Sequence, residues 1–360
     1  MSDESDRLAD SFRRFAEASF ADAPLYMAVS LAVADDEEVM TRISESPVAS
    51  HWPLPLLASV HYLLLGNPED PLALVYRQES DADPVPLFLA FVHEHWDELL
   101  QLMINRYIQT NECGRTALLA PAFTLVESGA SRPLAWIDVG TSAGLLQLVP
   151  HYRLDYGEHG TTGPEGSPVV ATCEIVGEPP VIAKRTPAFS HILGLDRAPV
   201  DIGDPEEARW LLACVWPASP RLARTAAAIE LAKVHPPHSV KGDAVNDLAA
   251  LIATVPEESL VVLTTTWVVA YFDTETRQAF MDLLKAVSMQ RPLVLVSLEA
   301  PGVIATIDQE PDVTPATYNG DNHVGLTVFH QGTATPHFLG FAHPHGAWLE
   351  WRGPAGISLP

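Results

Sequence analysis

Residues 136–144 read Trp-Ile-Asp-Val-Gly-Thr-Ser-Ala-Gly and fit two patterns of different chemistry. Gly140, Ser142 and Gly144 match G-x-S-x-G, a sharp turn that presents a serine nucleophile. Asp138 and the same glycines instead match an acidic, glycine-bearing turn between a strand and a helix, of the kind that binds nucleotides. The stretch therefore predicts either a nucleophilic serine or a cofactor-binding loop.

A serine hydrolase also needs a histidine base and an acid that orients it. Residues of both types follow Ser142 in the required order; the candidates are Asp243, Asp273, His343 and His345. An oxyanion loop of the H-G-G-G type does not precede the turn, and Asp138 would place negative charge where an oxyanion develops. The hydrolase is therefore kept as an alternative.

Polar residues end several predicted strands, which favours a cofactor site. Ligands of open α/β sheets bind at the carboxyl ends of the strands. Glycines at 140 and 144 would let the main chain approach a ligand closely, and Asp196 is placed to bind ribose hydroxyls. Asp243 could accept a hydrogen bond from an adenine amino group. The polar strand ends are Asp138, Asp196, Asp243 and Thr265.

Short apolar strands alternate with helices from residue 133 onward. The residues 142–149 and 274–289 read as helices, and Asp204-Pro205 has the composition of a helix start. The tail at 325–351 alternates as antiparallel strands do. The predicted fold class is α/β, a parallel sheet with an antiparallel edge. Its predicted strands are 134–139, 191–196, 260–266 and 292–298, and residues 239–243 are expected to end a further short strand and to cap a helix that runs to 254.

The first part of the chain shows helical spacing of apolar residues and no strand pattern. Helices are predicted at 24–43, 55–65 and 86–108. We therefore expect an all-helical N-terminal domain or cap at 1–115 and a sheet domain at 116–360.

The turn and the polar strand ends resemble those of class I S-adenosylmethionine-dependent methyltransferases, over roughly 116–360. The first motif of that family is acid-x-Gly-x-Gly-x-Gly, and Ser142 replaces its middle glycine. The resemblance implies a Rossmann-like fold, S-adenosylmethionine as cofactor and a small-molecule methyl acceptor. The implied cofactor-binding residues are Asp138, Gly140, Ser142, Gly144, Asp196, Asp243 and Thr265.

Two stretches depart from the methyltransferase pattern. Residues 157–190, which include strand-like residues 168–175, are expected to form an inserted hairpin over the cofactor mouth. Residues 300–323 follow the fifth strand without a helical pattern. Both departures concern the substrate side, so the acceptor stays undefined. A non-catalytic binding or interaction protein of the same fold is a further alternative.

Over nearly its whole length the chain is also similar to domain of unknown function 2332 (DUF2332), an uncharacterised bacterial family. That similarity implies a shared fold and a shared pocket, and it implies nothing about the substrate. It is carried by residues 60–65, 109–112, 138–144, 152–157, 242–244 and 344–350.

Further polar and aromatic residues are candidates for the reaction. Glu299 ends the fifth strand and could act as a general base, or it could be a solvated carboxylate. Residues 109–112 could contact a ligand or could simply end a helix. The tyrosines could stack on a ligand or pack between the helical cap and the sheet. The catalytic candidates are Glu112, Trp267, Tyr271 and Glu299. The substrate-binding candidates are Asn111, Tyr152, Tyr156 and His345.

The amino-acid composition disfavours several classes of binding partner. With 46 acidic and 21 basic residues, the formal charge of −25 disfavours nucleic acid and anionic membranes. No apolar stretch is long enough for a membrane span, and three distant cysteines argue against disulfides or a zinc ribbon. No metal site is predicted. We expect a cytoplasmic protein with a small-molecule substrate, and its oligomeric state is left open.

Overall fold

A computed structural model describes residues 3–19, 23–47, 53–304, 307 and 322–360. The chain divides into two compact units: Met1–Thr110 with Gly203–Ala226, and Asn111–Ile202 with Ala227–Pro360. The first division lies close to the boundary expected at residue 115. Segment Gly203–Ala226, which the sequence placed with the sheet domain, instead groups with the N-terminal helices.

The described residues form twelve α-helices. Their bounds are α1 Asp3–Ser19, α2 Pro24–Asp35, α3 Glu37–Ser44, α4 Pro53–Gly66, α5 Pro71–Tyr76, α6 Pro84–Glu94, α7 Trp96–Asn105, α8 Thr116–Gly129, α9 Pro205–Ala213, α10 Pro220–Val234, α11 Leu248–Ala253 and α12 Thr274–Ser288. The predicted helical N-terminal region is confirmed, since α1 to α7 follow one another without a strand among the described residues.

Several helix starts follow from aspartates that precede proline. Asp70, Asp83 and Asp204 each accept a hydrogen bond from the main-chain N–H two residues later, at 2.8–3.0 Å. The proline in the first turn costs nothing, because that N–H would have no helical partner. The predicted helix 24–43 is wrong in one respect: the chain breaks at Asp36, whose carboxylate caps α3 through the N–H of Val39.

The strands are β1 Leu134–Val139, β2 Arg153–Asp155, β3 Thr161–Thr162, β4 Val170–Thr172, β5 Glu174–Val176, β6 Phe189–Asp196, β7 Ser239–Lys241, β8 Leu260–Thr266, β9 Leu293–Glu299, β10 Asn322–His330, β11 Thr333–Ala342 and β12 Trp348–Trp351. Nine of them form one sheet in the order β5-β12-β11-β10-β9-β8-β1-β6-β7. Strands β2, β3 and β4 form a separate small sheet.

Five neighbouring strands of the large sheet are parallel: β7, β6, β1, β8 and β9. The chain leaves β1 toward β6 and β7, then returns to the other side of β1 for β8 and β9. The direction of winding therefore changes between β1 and β8. Strands β10, β11 and β12 are antiparallel to their predecessors. The predicted α/β class and mostly parallel sheet are confirmed.

Both faces of β1 are buried, as its mostly apolar sequence indicates, and Asp138 is the one acidic residue within it. Alternate residues point to opposite faces. Ile137 belongs to a core that also contains Leu248 of α11 and Phe280 of α12. On the other face, Trp136 meets the ring of Phe123 of α8, with 5.1 Å between ring centroids. The central strand is thus held between helices on both sides.

Two expectations about the chain after β1 are wrong. The predicted helix 142–149 is a 3₁₀-helix, Leu145–His151, because Gly144 enters it in a left-handed conformation and Pro150 lacks the N–H an α-helix would use. The strand-like residues 168–175 do not pair with each other as a hairpin: β4 joins β2 and β3 in the small sheet, while β5 pairs with β12 at the far edge of the large sheet. The stretch expected to lack a helix, 300–323, lies mostly outside the described residues.

Candidate functional site

A buried carboxylate lies near the carboxyl end of β1. Asp138 is 2% exposed, and its Oδ1 accepts a hydrogen bond of 2.7 Å from the hydroxyl of Thr264 on the neighbouring β8. The indole Nε1 of Trp136 donates in turn to Thr264 Oγ1 at 2.8 Å. The hydroxyl hydrogen is thereby directed at Asp138, so the three side chains form one ordered chain of hydrogen bonds.

The surroundings of Asp138 change its acidity. Burial raises the pKa of this carboxyl to about 6, although hydrogen bonds from Thr264 and Thr141 act to lower it. The negative charge of Asp196 adds to the rise in pKa, and the positive charge of Arg115 opposes it. A carboxyl of this kind changes its protonation state close to neutral pH.

Asp196 ties the turn after β1 to the end of β6. Its Oδ2 accepts from the main-chain N–H of Ser142, and its Oδ1 from that of Ala198, both at 2.8 Å. The N–H of Gly140 also donates to the carbonyl of Leu195 at 2.7 Å. Asp196 is only half-buried, and each carboxylate oxygen has further lone pairs. It can therefore hold the turn and still accept hydroxyl groups of a ligand.

The two glycines of the turn are explained by conformation and packing within the protein. Gly140 and Gly144 have φ values of +74° and +72°, which residues with a Cβ rarely adopt. A Cβ on Gly140 would lie 2.2 Å from Cγ2 of Val268, and one on Gly144 would lie 2.4 Å from Cβ of Pro237. The space beside each glycine is thus filled by a side chain of the protein, whereas the sequence predicted main chain open to a ligand.

The polar side chains of residues 111 and 112, which precede the sheet, form hydrogen bonds with main-chain groups. Asn111 is 7% exposed; its Nδ2 donates to the carbonyl of Thr141 at 3.1 Å, and its Oδ1 accepts from the N–H of Leu145 at 2.7 Å. Glu112 accepts from the N–H of Gly114 at 2.8 Å and caps a short 3₁₀-helix. Asn111 therefore holds both ends of the turn, and Glu112 begins a short 3₁₀-helix, whereas the sequence suggested that residues 109–112 end a helix.

Arg115 belongs to the same region and was not singled out from the sequence. This side chain is 4% exposed. Its Nε donates to the carbonyl of Pro344 at 3.0 Å, and a terminal nitrogen donates to that of Thr266 at 3.1 Å. It thereby links the end of β8 to the turn before β12. The sequence feature that could have identified Arg115 is a charged residue at the start of an otherwise apolar helix.

Glu299, the proposed general base, lies at the end of β9 and is 1% exposed. Its carboxylate accepts from the main-chain N–H groups of Val268, Val269 and Ala270, at 3.0–3.2 Å. Burial raises its pKa, and these hydrogen bonds act in the opposite direction. The carboxylate therefore fixes the chain after β8.

That chain carries the two aromatic candidates. Trp267 is half-buried and has a left-handed φ of +61°, while Tyr271 is 75% exposed. Thr265 on β8 is fully buried. The segment that Glu299 holds thus presents one indole near the strand ends and one phenol to solvent.

The remaining candidates have contacts within the protein. Asp243, whose side chain is 34% exposed, accepts from the main-chain N–H groups that follow it and has the Nε of Arg197 at 3.7 Å. The hydroxyls of Tyr152 and Tyr156 are buried and donate to main-chain carbonyls of the same unit, those of Leu145 and Ala117, at 2.6 and 2.8 Å. The N–H of His345 donates to Nδ1 of His343 at 3.1 Å.

One known protein family matches nearly the whole length of the chain. A family model described as an uncharacterized protein conserved in bacteria, DUF2332, matches residues 9–351. The chain belongs to the DUF2332 family. A search of curated proteins and a search of solved structures each found no significant match. Every candidate residue of the site lies inside the matched range.

The contacts of this DUF2332 protein bear on the hydrolase alternative. Asp273 caps α12 by accepting from the N–H of Thr276 at 2.8 Å, and Asp243 is engaged as described. The carboxylate of Asp196 lies on the N–H of Ser142, where negative charge opposes an oxyanion. The left-handed φ of Ser142, +52°, agrees with a sharp turn. Both candidate acids are therefore hydrogen-bonded to main-chain N–H groups, and a carboxylate lies beside Ser142.

The described part of this DUF2332 chain was also searched for metal sites and membrane spans. Within that part, no three histidine, cysteine, aspartate or glutamate side chains converge as a metal site requires. None of its helices combines the length and the apolar composition that crossing a membrane requires.

Proposed function

We propose that this DUF2332 protein binds S-adenosylmethionine at the carboxyl ends of β1, β6 and β7 and transfers its methyl group to a small molecule. The sheet is taken as Rossmann-like for this proposal. The observation that carries it is the change of winding direction beside β1, at the end where Asp138 and Asp196 meet the same turn. Nucleosides bind doubly wound sheets at this point.

The roles of the individual acids follow from their exposure. Asp196 is half-buried and keeps acceptor capacity, so it would bind the ribose hydroxyls. Asp243 follows β7, is about one-third exposed and would accept from the adenine amino group. Asp138 is buried and would act through the shape and field of the turn at the methionine end. Methyl transfer depends on positioning more than on an acid or base.

A second candidate function is nucleoside binding without methyl transfer. Glu112 and Glu299, the carboxylates available as bases, are both bound to main-chain N–H groups. Gly140 is covered by Val268, and no α-helix follows the turn. These departures from the methyltransferase pattern, together with the remaining acceptor capacity of half-buried Asp196, favour binding without methyl transfer.

Isothermal titration calorimetry with S-adenosylmethionine and S-adenosylhomocysteine tests the proposal. Both are expected to bind, and Asp196→Asn is expected to weaken binding by at least about tenfold, because a charged hydrogen bond is worth 1.5–3 kcal/mol. Asp204→Asn is the matched control, since Asp204 also accepts from main-chain N–H but caps a helix of the first unit. Circular dichroism checks that both variants fold.

Three outcomes would change the assignment. Absence of binding at high micromolar ligand, or equal weakening by Asp204→Asn, would refute the cofactor site. Binding without turnover across a panel of acceptors would favour the second candidate. Labelling by a fluorophosphonate probe that disappears in Ser142→Ala would replace both with a hydrolase.

A further inference from the structure

The turn after β1 lies where doubly wound sheets bind phosphate groups, but it uses its main-chain N–H groups within the protein. Phosphates bind such turns because several N–H groups point at them. Here the N–H groups of Gly140 and Thr141 both donate to the carbonyl of Leu195, at 2.7 and 3.3 Å. The N–H of Gly144 donates to the carbonyl of Thr141 at 2.8 Å. Main-chain oxygens of the protein therefore occupy these three donors.

Two further N–H groups of the turn are occupied by side chains. Ser142 donates to Oδ2 of Asp196 at 2.8 Å, and Leu145 donates to Oδ1 of Asn111 at 2.7 Å. Five of the six N–H groups of residues 140–145 thus have an acceptor within the protein. Because Asp196 is a carboxylate, it already supplies the negative charge that a bound phosphate would bring to this turn.

The carboxylates of Asp138 and Asp196 lie on the same face of the sheet. Asp138 is paired with Gly194 in the parallel register of β1 and β6, and Asp196 is two residues further along β6. Side chains two residues apart on a strand point to the same face. A phosphate at the turn would therefore meet two carboxylates of its own sign of charge, which repel it.

The surroundings of the turn add little attraction for an anion. The element that follows is the 3₁₀-helix Leu145–His151, shorter than the α-helices whose aligned dipoles attract phosphates. The guanidinium of Arg197 lies 3.7 Å from Asp243, and its side chain is 82% exposed, so its charge is balanced by Asp243 and screened by water. The buried guanidinium of Arg115 donates to two main-chain carbonyls.

We propose that the binding site selects nucleosides without a 5′-phosphate, and that Asp196 determines this selectivity by occupying the turn with a carboxylate. The inference rests on the proposed function, which places the nucleoside at this turn. It extends that function by excluding dinucleotides and nucleoside phosphates as ligands. The sulfonium group of S-adenosylmethionine has the opposite charge to phosphate and is attracted by the same carboxylates.

Isothermal titration calorimetry of the full chain with adenosine and with adenosine 5′-monophosphate tests the selectivity. The two ligands differ only in the phosphate, which is attached to the carbon that carries sulfur in S-adenosylmethionine. At about pH 8 the phosphate is doubly ionised. Adenosine is expected to bind at least about tenfold more tightly, because the phosphate would have to displace existing hydrogen bonds. Added salt should reduce this ratio, since it screens the repulsion.

The Asp196→Asn variant tests whether the carboxylate is the cause. The amide keeps an oxygen that can accept from the N–H of Ser142, and it removes the negative charge. The ratio of the two affinities is expected to fall at least about threefold, because charge repulsion is lost, whatever the change in the affinity for adenosine itself. Asp204→Asn, which alters a helix cap of the first unit, is the control and should leave the ratio unchanged.

Equal or tighter binding of the monophosphate, no saturable binding of adenosine, or a ratio that Asp196→Asn leaves unchanged would overturn the selectivity. The proposed function fails by a different result. A protein that prefers adenosine to the monophosphate and binds neither S-adenosylmethionine nor S-adenosylhomocysteine keeps the selectivity and loses the cofactor. A protein that binds S-adenosylhomocysteine and the monophosphate equally well loses only the selectivity.

Discussion

The buried carboxyl of Asp138 predicts a specific dependence of stability on pH. Its pKa is raised from an ordinary value of 3.8 to about 6 by burial. In the unfolded chain the group ionises near the ordinary value, so the unfolded state is favoured increasingly as the pH rises toward 6. Below the pKa of the unfolded chain, protonated Asp138 contributes its full stabilisation to the folded state. Above the pKa of the folded state, that stabilisation has been lost. At 1.36 kcal/mol per pH unit, the loss is about 3 kcal/mol.

The Asp138→Asn variant removes this titration with little change in shape. The amide oxygen still accepts from the hydroxyl of Thr264, and the amide nitrogen can donate to Thr141. The variant should therefore gain stability relative to the wild type as the pH rises from about 4 to about 6, by up to about 3 kcal/mol, and the gain should be constant above that range.

Urea-induced unfolding of both proteins, at intervals from about pH 4 to about pH 8, measures this difference. Asp81→Asn, at an exposed position, is the control, and its profile should run parallel to that of the wild type. A difference between wild type and Asp138→Asn that does not change with pH would refute the reasoning, as would a wild type that gains relative stability toward neutral pH.

Two further predictions concern the turn and the segment after β8. Gly140→Ala should destabilise the protein by about 2–4 kcal/mol in urea unfolding, because left-handed backbone and overlap with Val268 add together. Gly157→Ala has a similar φ of +60° but open space at its Cβ, so it should cost only about 1–2 kcal/mol; equal losses would show that packing is unimportant. Glu299→Gln should lower stability by about 1–3 kcal/mol, because its amide group would face a main-chain N–H. It should also move the Trp267 indole resonance, and an unchanged spectrum would contradict the role given to Glu299.

Elements with a strong local pattern were predictable from the sequence. Strands β1 and β8 were located at their observed bounds, since each begins with an apolar run that is typical of a buried parallel strand. The Asp204-Pro205 helix start was found because a capping aspartate and a first-turn proline act locally. The region helical from α1 to α7 was likewise found, although the breaks at Asp36 and at His95, which divide the predicted helices 24–43 and 86–108, were not.

What could not be predicted depends on contacts between distant residues. The pairing of β5 with β12 joins segments far apart in the chain, and no periodicity records it. Asn111 and Glu299 looked like ligand-binding or catalytic groups, because their polarity is visible in the sequence and their main-chain partners are not. The 3₁₀-helix after β1 was read as an α-helix for the same reason, since the conformation of Gly144 is set by its surroundings.

The excursion Gly203–Ala226 has a consequence for how the protein can be divided and made. Tyr62 and Ala58 of α4 share a core with Trp210 of α9, and the ring of buried His61 is hydrogen-bonded to the carbonyl of Ala213. A protein truncated after residue 110 therefore lacks α9, the helix that packs on α4. During synthesis, residues 111–202 of the second unit are made before α9, and the hydrophobic core of the first unit can be completed only after α9 has been made.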